Sequence, residues 1–205
     1  RVGAASGELV IRDGRTHEEA NVGLYWKYEK WIRKRLSAVD SVLGATGCIY
    51  AMRRDLAKPL PAGTLLDDVH LPMGAFFAGY RIVMEERAKA YDQPTGLDAE
   101  FRRKVRTQAG IYQLIGAFPR LLWPGTRMWM DFVSYKLGRL LLPWALLMVA
   151  VSSFWLPEGW RWIAIAGQAV FYTAAGVDLW IPEGMLVKKL TGSARAFVVL
   201  IASAA

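Results

Sequence analysis

The chain has 205 residues, 54% of them hydrophobic, with nine tryptophans and a formal charge of +8 from 26 basic and 18 acidic residues. That is too apolar for an ordinary soluble domain of this length and implies contact with a lipid bilayer. The basic excess is mixed with acids and carries no nucleic-acid motif, so it reads more simply as a face toward anionic headgroups than as a nucleic-acid surface, and no nucleic-acid partner is expected.

Between Arg1 and Arg139 lie 22 of the 26 basic and 15 of the 18 acidic residues, so a polar, basic domain precedes a nearly uncharged last third. The domain opens with a strand around Glu8 to Arg12, a turn at Asp13-Gly14 and a helix from about Glu18 to Leu36. Val22, Tyr25, Trp26, Glu29 and Ile32 recur there at the three- and four-residue spacing of one helix face. In "SVLGATGCIYAMRRDL" the glycines at 44 and 47 bracket Ala45-Thr46 ahead of an apolar strand. Such glycines suit either a plain turn or close approach of a ligand to the backbone. The lone Cys48 lies in an apolar run, which excludes a disulfide framework and a cysteine zinc site and predicts a small buried residue.

In "TLLDDVHL", Asp67 and Asp68 open a helix running to Ala78, with Gly79 as its stop and a strand Tyr80 to Met84 beyond. Two carboxylates at a helix start are favoured by its unpaired amides and dipole, so capping alone is one explanation of the pair. Thr95-Gly96-Leu97-Asp98 has the form of a capping box for a helix reaching Ala117 before Pro119. That helix carries Arg102, Arg103, Lys104 and Arg106. Arg103 and Arg106, three apart, share a face with Gly110, whereas Arg102 and Lys104 read as a solvated basic face. His17 and His70 lack partners at metal-ligand spacing.

Residues 117–136 mix Leu121, Leu122, Trp123, Met128, Trp129, Phe132 and Val133 with Arg120, Arg127 and Lys136, broken by Pro119 and Pro124. They predict a kinked amphipathic segment in the headgroup plane. Two uncharged runs follow, 17 residues from Leu140 to Leu156 and 16 from Trp162 to Val177, separated by "PEGWR". With borrowed flanks they become spanning helices at 137–156 and 160–178; the rival reading is two buried helices of a larger soluble domain. Lys188, Lys189 and Arg195 then lie in a cytoplasmic loop at 179–195, against only Arg161 at the hairpin tip, which orients the domain to the cytoplasm. Residues 196–205 read as the start of a third span. Lacking an initial methionine and ending in an apolar run, the chain reads as an internal piece of a longer protein.

The ordered set "YWKYEKWIRKRL", "GATGCIYAMRR", "LLDDVHLPMGAFFAGYRI" and "FRRKVRTQAG", followed by an apolar hairpin, resembles the carboxyl-terminal half of membrane-bound family 2 glycosyltransferases. These are inverting enzymes of GT-A fold that include cellulose, chitin and hyaluronan synthases. The resemblance implies an α/β fold class, with residues 1–116 as the second half of a GT-A domain. It implies transfer of a sugar from a nucleotide-sugar donor, expected to be UDP-linked, to a saccharide or lipid-linked acceptor. By it, Asp68 is the general base and Asp67 its orienting neighbour; Arg106, with Arg103, holds the donor diphosphate, and Thr46 and Gly47 line the acceptor side. Arg103 stands where the family has glutamine and Thr107 where it has tryptophan, which removes an aromatic platform and puts processive synthesis in doubt. A magnesium or manganese ion is implied, its ligands lying in the family's first half rather than in this chain. The alternative is a membrane anchor or assembly subunit whose acidic pair only caps a helix. Oligomeric state is not legible.

Overall fold

A computed structural model describes residues 1–11, 17–93, 97–182 and 185–204. The expected turn at Asp13-Gly14 and the Thr95-Gly96 half of the capping box lie outside them. The domain is a mixed α/β unit around a small sheet of order β2-β1-β3. Strand β1 (Val2–Ile11) runs antiparallel to β2 (Tyr50–Met52) and parallel to β3 (Arg81–Asp92). A parallel pair needs a long crossover. Helix α1 (His17–Val39), β2 and helix α2 (Asp67–Phe77) occupy that connection.

Strands β1 and β3 are longer in the structure than the sequence leads one to expect. The polar end of β3 lacks apolar alternation, yet it pairs Lys89 with Glu8 and Asp92 with Ile11 beyond a register shift at Ser6 to Glu8. A Cβ on Gly7 would lie 2.6 Å from the Ala88 carbonyl oxygen, so the close approach of the strands at this irregularity requires glycine. Helix α2 ends as expected, with Gly79 at φ +90°. Helix α3 (Leu97–Ala117) stops before Pro119.

Val42, Met73, Ile82, Ile111, Leu121, Phe132 and Leu140 belong to one buried cluster, which carries the core from the sheet to the base of the hairpin. Residues 117–136 therefore do not lie as one segment on a surface. Pro119–Leu122 forms a 3₁₀ turn with Leu121 buried, and Met128 and Phe132 enter the core, while Leu122, Trp123 and Met130 face outward. From Trp129 a single helix runs 27 residues to Trp155. It comprises α4 (Trp129–Asp131), a π-helical turn (Phe132–Leu137), α5 (Gly138–Ser152) and a closing 3₁₀ turn. A π turn holds an extra residue and re-aims the side chains on either side of it.

Helix α6 (Glu158–Val177) extends through a 3₁₀ turn to Trp180, 23 residues in all. This helix and Trp129–Trp155 are long and apolar enough to cross a membrane, and only 11% of the most apolar stretch of each is buried within the protein. Trp144, Met148, Trp155, Trp160 and Trp162 are exposed. Soluble core helices would bury these side chains, so the geometry goes against the buried-helix reading.

The last segment departs from expectation. In place of a loop at 179–195 and a span from 196, residues Leu186–Ala202 form one helix, α7, packed on α6, α1 and α3. The physical reason is Asp178, fully buried, which accepts hydrogen bonds from Thr191 Oγ1 at 2.7 Å and Lys188 Nζ at 3.2 Å, with Arg195 Nη1 at 3.6 Å. Cations matched inside a fold are not flanking loop charges. Two of the three basic residues used to orient the hairpin thus lose that meaning.

Candidate active site

Helix α2 starts on Asp67, with Leu66 in the cap position and no side-chain capping hydrogen bond. The acidic pair therefore does not act as the helix cap, although it still occupies the favourable end of the dipole. Two contacts from α3 set this helix start in place. Gln113 Oε1 accepts from the Leu65 amide at 2.9 Å, and its Nε2 donates to the Gly63 carbonyl at 3.1 Å. A Cβ on Gly110 would lie 2.4 Å from Leu66 Cγ, so glycine is what lets α3 close on the loop.

The segment Gly44 to Gly47 is fastened from the other side. The Ala45 amide donates to the Asp68 carbonyl at 2.8 Å, and the Thr46 amide donates to Ser6 Oγ at 2.8 Å. Gly44 sits at φ +114° against Val69. A Cβ on Gly47 would stand 2.8 Å from Asp68 Oδ2. The missing side chain thus leaves the space that the Asp68 carboxylate faces.

Asp67, Asp68, Thr46, Gly47, Arg103 and Arg106 all line one cleft of about 400 Å³. Asp68 is half-buried and Asp67 exposed. Burial, then the neighbouring Asp67 charge, push the Asp68 carboxyl above its ordinary value, against the pull of Lys136 and Arg33. A carboxylate raised by desolvation and a like charge is suited to accept a proton.

The two arginines differ. Arg103 pairs with Glu100, itself fully buried, and lies 4.8 Å over the Trp26 ring. It is anchored. Arg106 is exposed on the cleft wall and forms no hydrogen bond or ion pair among the described residues. Of the two it is the one open to bind an anion. Thr46 lines the cleft, but its hydroxyl donates to the Gly7 carbonyl at 3.0 Å and accepts from Ser6 Oγ at 3.1 Å, so it locks the loop. Arg53 and Arg54 lie outside the cleft lining.

Cys48, expected to be buried, is exposed on the cleft wall. The reason is that β2 covers only three residues and the chain is still in a turn at position 48. Partial desolvation pushes its thiol up, and the Asp92 and Asp68 charges add to this, which opposes thiolate chemistry. His70 packs against Phe118, ring centroids 4.9 Å apart.

Sequence reasoning missed the cleft floor. Trp26, Glu29, Lys30 and Arg33 on α1 line it, and Lys104 and Lys136 join them. The signal was present, because these α1 positions follow the i, i+3, i+4, i+7 pattern of one helix face. Arg33 Nη2 donates to Ser6 Oγ at 2.8 Å, and Lys30 Nζ to Glu8 Oε1 at 2.6 Å. Lys104, read as solvated, is mostly buried. Burial lowers its pKa to about 8 against the opposing pull of Glu29 and Glu100.

Glu29 is the joint between the domain and the first long helix. It accepts hydrogen bonds from the Tyr135 hydroxyl and from Arg139 Nη2, the latter at 2.7 Å. Burial works against its ionisation, but Arg139, Lys136 and Lys104 outweigh it and hold the carboxyl at about 2. Among the described residues no cluster of three or more His, Cys, Asp or Glu side chains is placed to hold a metal ion. The residues present do not fit the divalent ion that the resemblance implies, so no step is derived through it. No protein-family model matches the chain, and no curated protein matches it.

Proposed function

We propose that the chain is the acceptor-side half of a GT-A domain joined to a membrane hairpin, and that it belongs to an inverting glycosyltransferase using a nucleotide-sugar donor. The acceptor hydroxyl enters the space left by Gly47. Its oxygen attacks the anomeric carbon from the face opposite the leaving nucleotide. The Asp68 carboxylate takes the hydroxyl proton, the new C–O bond forms, and the bond from the anomeric carbon to the phosphate oxygen breaks, with its electron pair leaving on the nucleoside diphosphate. Arg106 meets the charge that grows on the diphosphate, where a fixed cationic donor contributes most. Its guanidinium can hold two oxygens at once. Arg103 positions the α3 face through Glu100 and Trp26 and touches no reacting atom. The acceptor is a saccharide or a lipid-linked saccharide, and the exposed apolar helices support a reaction at a bilayer.

The observation that carries this reading is the convergence of three sequence-distant pieces on one cleft: a carboxylate with a raised pKa, a glycine that opens the space before it, and an arginine unpaired among the described residues. The test is Asp68→Asn in the full-length protein in native membranes, assayed with candidate labelled nucleotide sugars. Transfer should fall by about 100-fold or more, in line with the loss of a positioned base, with donor binding kept. Wild-type turnover in that variant removes Asp68 from the mechanism.

A further inference from the structure

A second cavity, about 700 Å³, lies where α1, α3, α7 and the base of the first long helix meet. It shares Lys104 alone with the proposed reaction cleft, and its lining is ordered. Along the helix it passes from Asp131 through Tyr135 and Arg139 to Leu142, with apolar side chains such as Ile32 and Phe197 on the facing walls. Asp131 forms no ion pair or hydrogen bond among the described residues, although it lines a largely apolar space. Such a carboxylate calls for a cation.

We propose that this cavity binds one zwitterionic aminophospholipid drawn from the bilayer, its ammonium at Asp131, its phosphate at Arg139 and Lys104, and an acyl chain against Leu142. The groups follow one another along a single axis. In a membrane leaflet the amine is outermost, the phosphate next and the chains deepest, which is the order of acid, guanidinium and leucine here. The Arg139 guanidinium folds back to 4.4 Å from the Tyr135 ring centroid, toward the Asp131 end of the cavity, so acid and guanidinium line the same space. Arg139 keeps its bond to Glu29, and a guanidinium with five N–H donors has others to offer. Arg139 pairs with Glu29 and Lys104 with Glu100, so with Asp131 in the lining the site carries no positive excess, which suits a zwitterion better than an anionic lipid.

The inference rests on the hairpin being embedded in a membrane, and the experiment separates the two. Membranes carrying the full-length protein are first washed with alkaline carbonate; release of the protein refutes the membrane reading and the lipid site with it. Retained protein is then extracted, stripped of lipid, and titrated with phosphatidylethanolamine or phosphatidylglycerol micelles, with bound lipid counted by native mass spectrometry. The expected result is one retained phosphatidylethanolamine per chain, preferred about three- to fivefold over phosphatidylglycerol, a ratio of the size one exposed charge pair sets. Asp131→Asn should bring that ratio to about one, and Leu142→Trp, which fills the chain end, should lower retention of both lipids. Equal retention of the two by the wild type, an unchanged ratio in Asp131→Asn, or displacement by inorganic phosphate alone overturns the proposal.

Discussion

Gly47→Ala tests the site at its tightest point. The added methyl would sit 2.8 Å from Asp68 Oδ2 and 3.3 Å from its Cγ, whereas an ordinary carbon–oxygen contact begins near 3.4 Å. The carboxylate must therefore retreat by about 0.6 Å, and it can do so only by rotating, because the Asp68 carbonyl is held by the Ala45 amide. A misplacement approaching 1 Å in a reacting geometry can lower a rate by about 100-fold, so turnover should fall by roughly 10- to 100-fold. Folding should hardly change, since Gly47 is exposed and does not require positive φ. The control is Gly44→Ala, which forces a side chain into φ +114° and against Val69. It should lower thermal stability by an amount Gly47→Ala does not. The assay is initial transfer rate by the full-length protein in membranes, alongside donor affinity and melting temperature. If Gly47→Ala turns over at the wild-type rate with unchanged stability, the space before Asp68 is not where the acceptor hydroxyl binds.

Asp68 has a folded-state pKa above its ordinary 3.8. The active carboxylate is then lost as pH falls through that raised value, and the acid limb of the rate profile should lie above pH 3.8 and vanish in Asp68→Asn. The same shift means that folding is opposed above the raised pKa and relieved as pH falls toward 3.8. Asp68→Asn should accordingly raise the melting temperature at pH 7, by less as the pH is lowered toward 3.8. Glu29 behaves oppositely. Its pKa falls from 4.5 to about 2, so it supports the fold by roughly 3 kcal/mol above pH 4.5 and loses that support as pH drops toward 2. Glu29→Gln should remove most of this at pH 7, read by denaturant unfolding in detergent. Arg106→Ala should leave stability within about 0.5 kcal/mol and weaken donor binding or turnover at least tenfold. Arg103→Ala should destabilise by about 1.5–3 kcal/mol, because the buried Glu100 loses its closer cation and keeps only Lys104 Nζ at 3.8 Å. Gly110→Ala, which meets Leu66 at 2.4 Å, should destabilise by about 1–3 kcal/mol.

What could be read in the sequence was local. A pair of acids at a helix start, two glycines three apart and two arginines on one helix face each leave a mark within a few residues, and the structure brings these six positions to one cleft. Cys48 misled because burial was inferred from its apolar neighbours, while the strand they form is too short to cover it. The sheet's polar outer half was invisible because strand pairing, not alternation, extends it.

The larger misses share a different cause, which is that charge was counted without partners. Lys188 and Arg195 raised the positive count after the second apolar run, and hydropathy turned that into a loop. Asp178, ten residues ahead of Lys188, lay inside what looked like helix end, and its burial matches both cations and pulls α7 onto the domain. Glu29 and Arg139 are 110 residues apart, and nothing along the chain marks them as a pair. A buried carboxylate stays ionised only if cations reach it, and Glu29 gathers them from both the domain and the first long helix. It is thereby a fixed point shared by the two cavities, with Lys104 lining each. Any movement of the long helices that shifts Arg139 or Tyr135 must move Glu29, and with it the α1 face that forms the floor under Asp68. The cleft and the hairpin are one electrostatic unit.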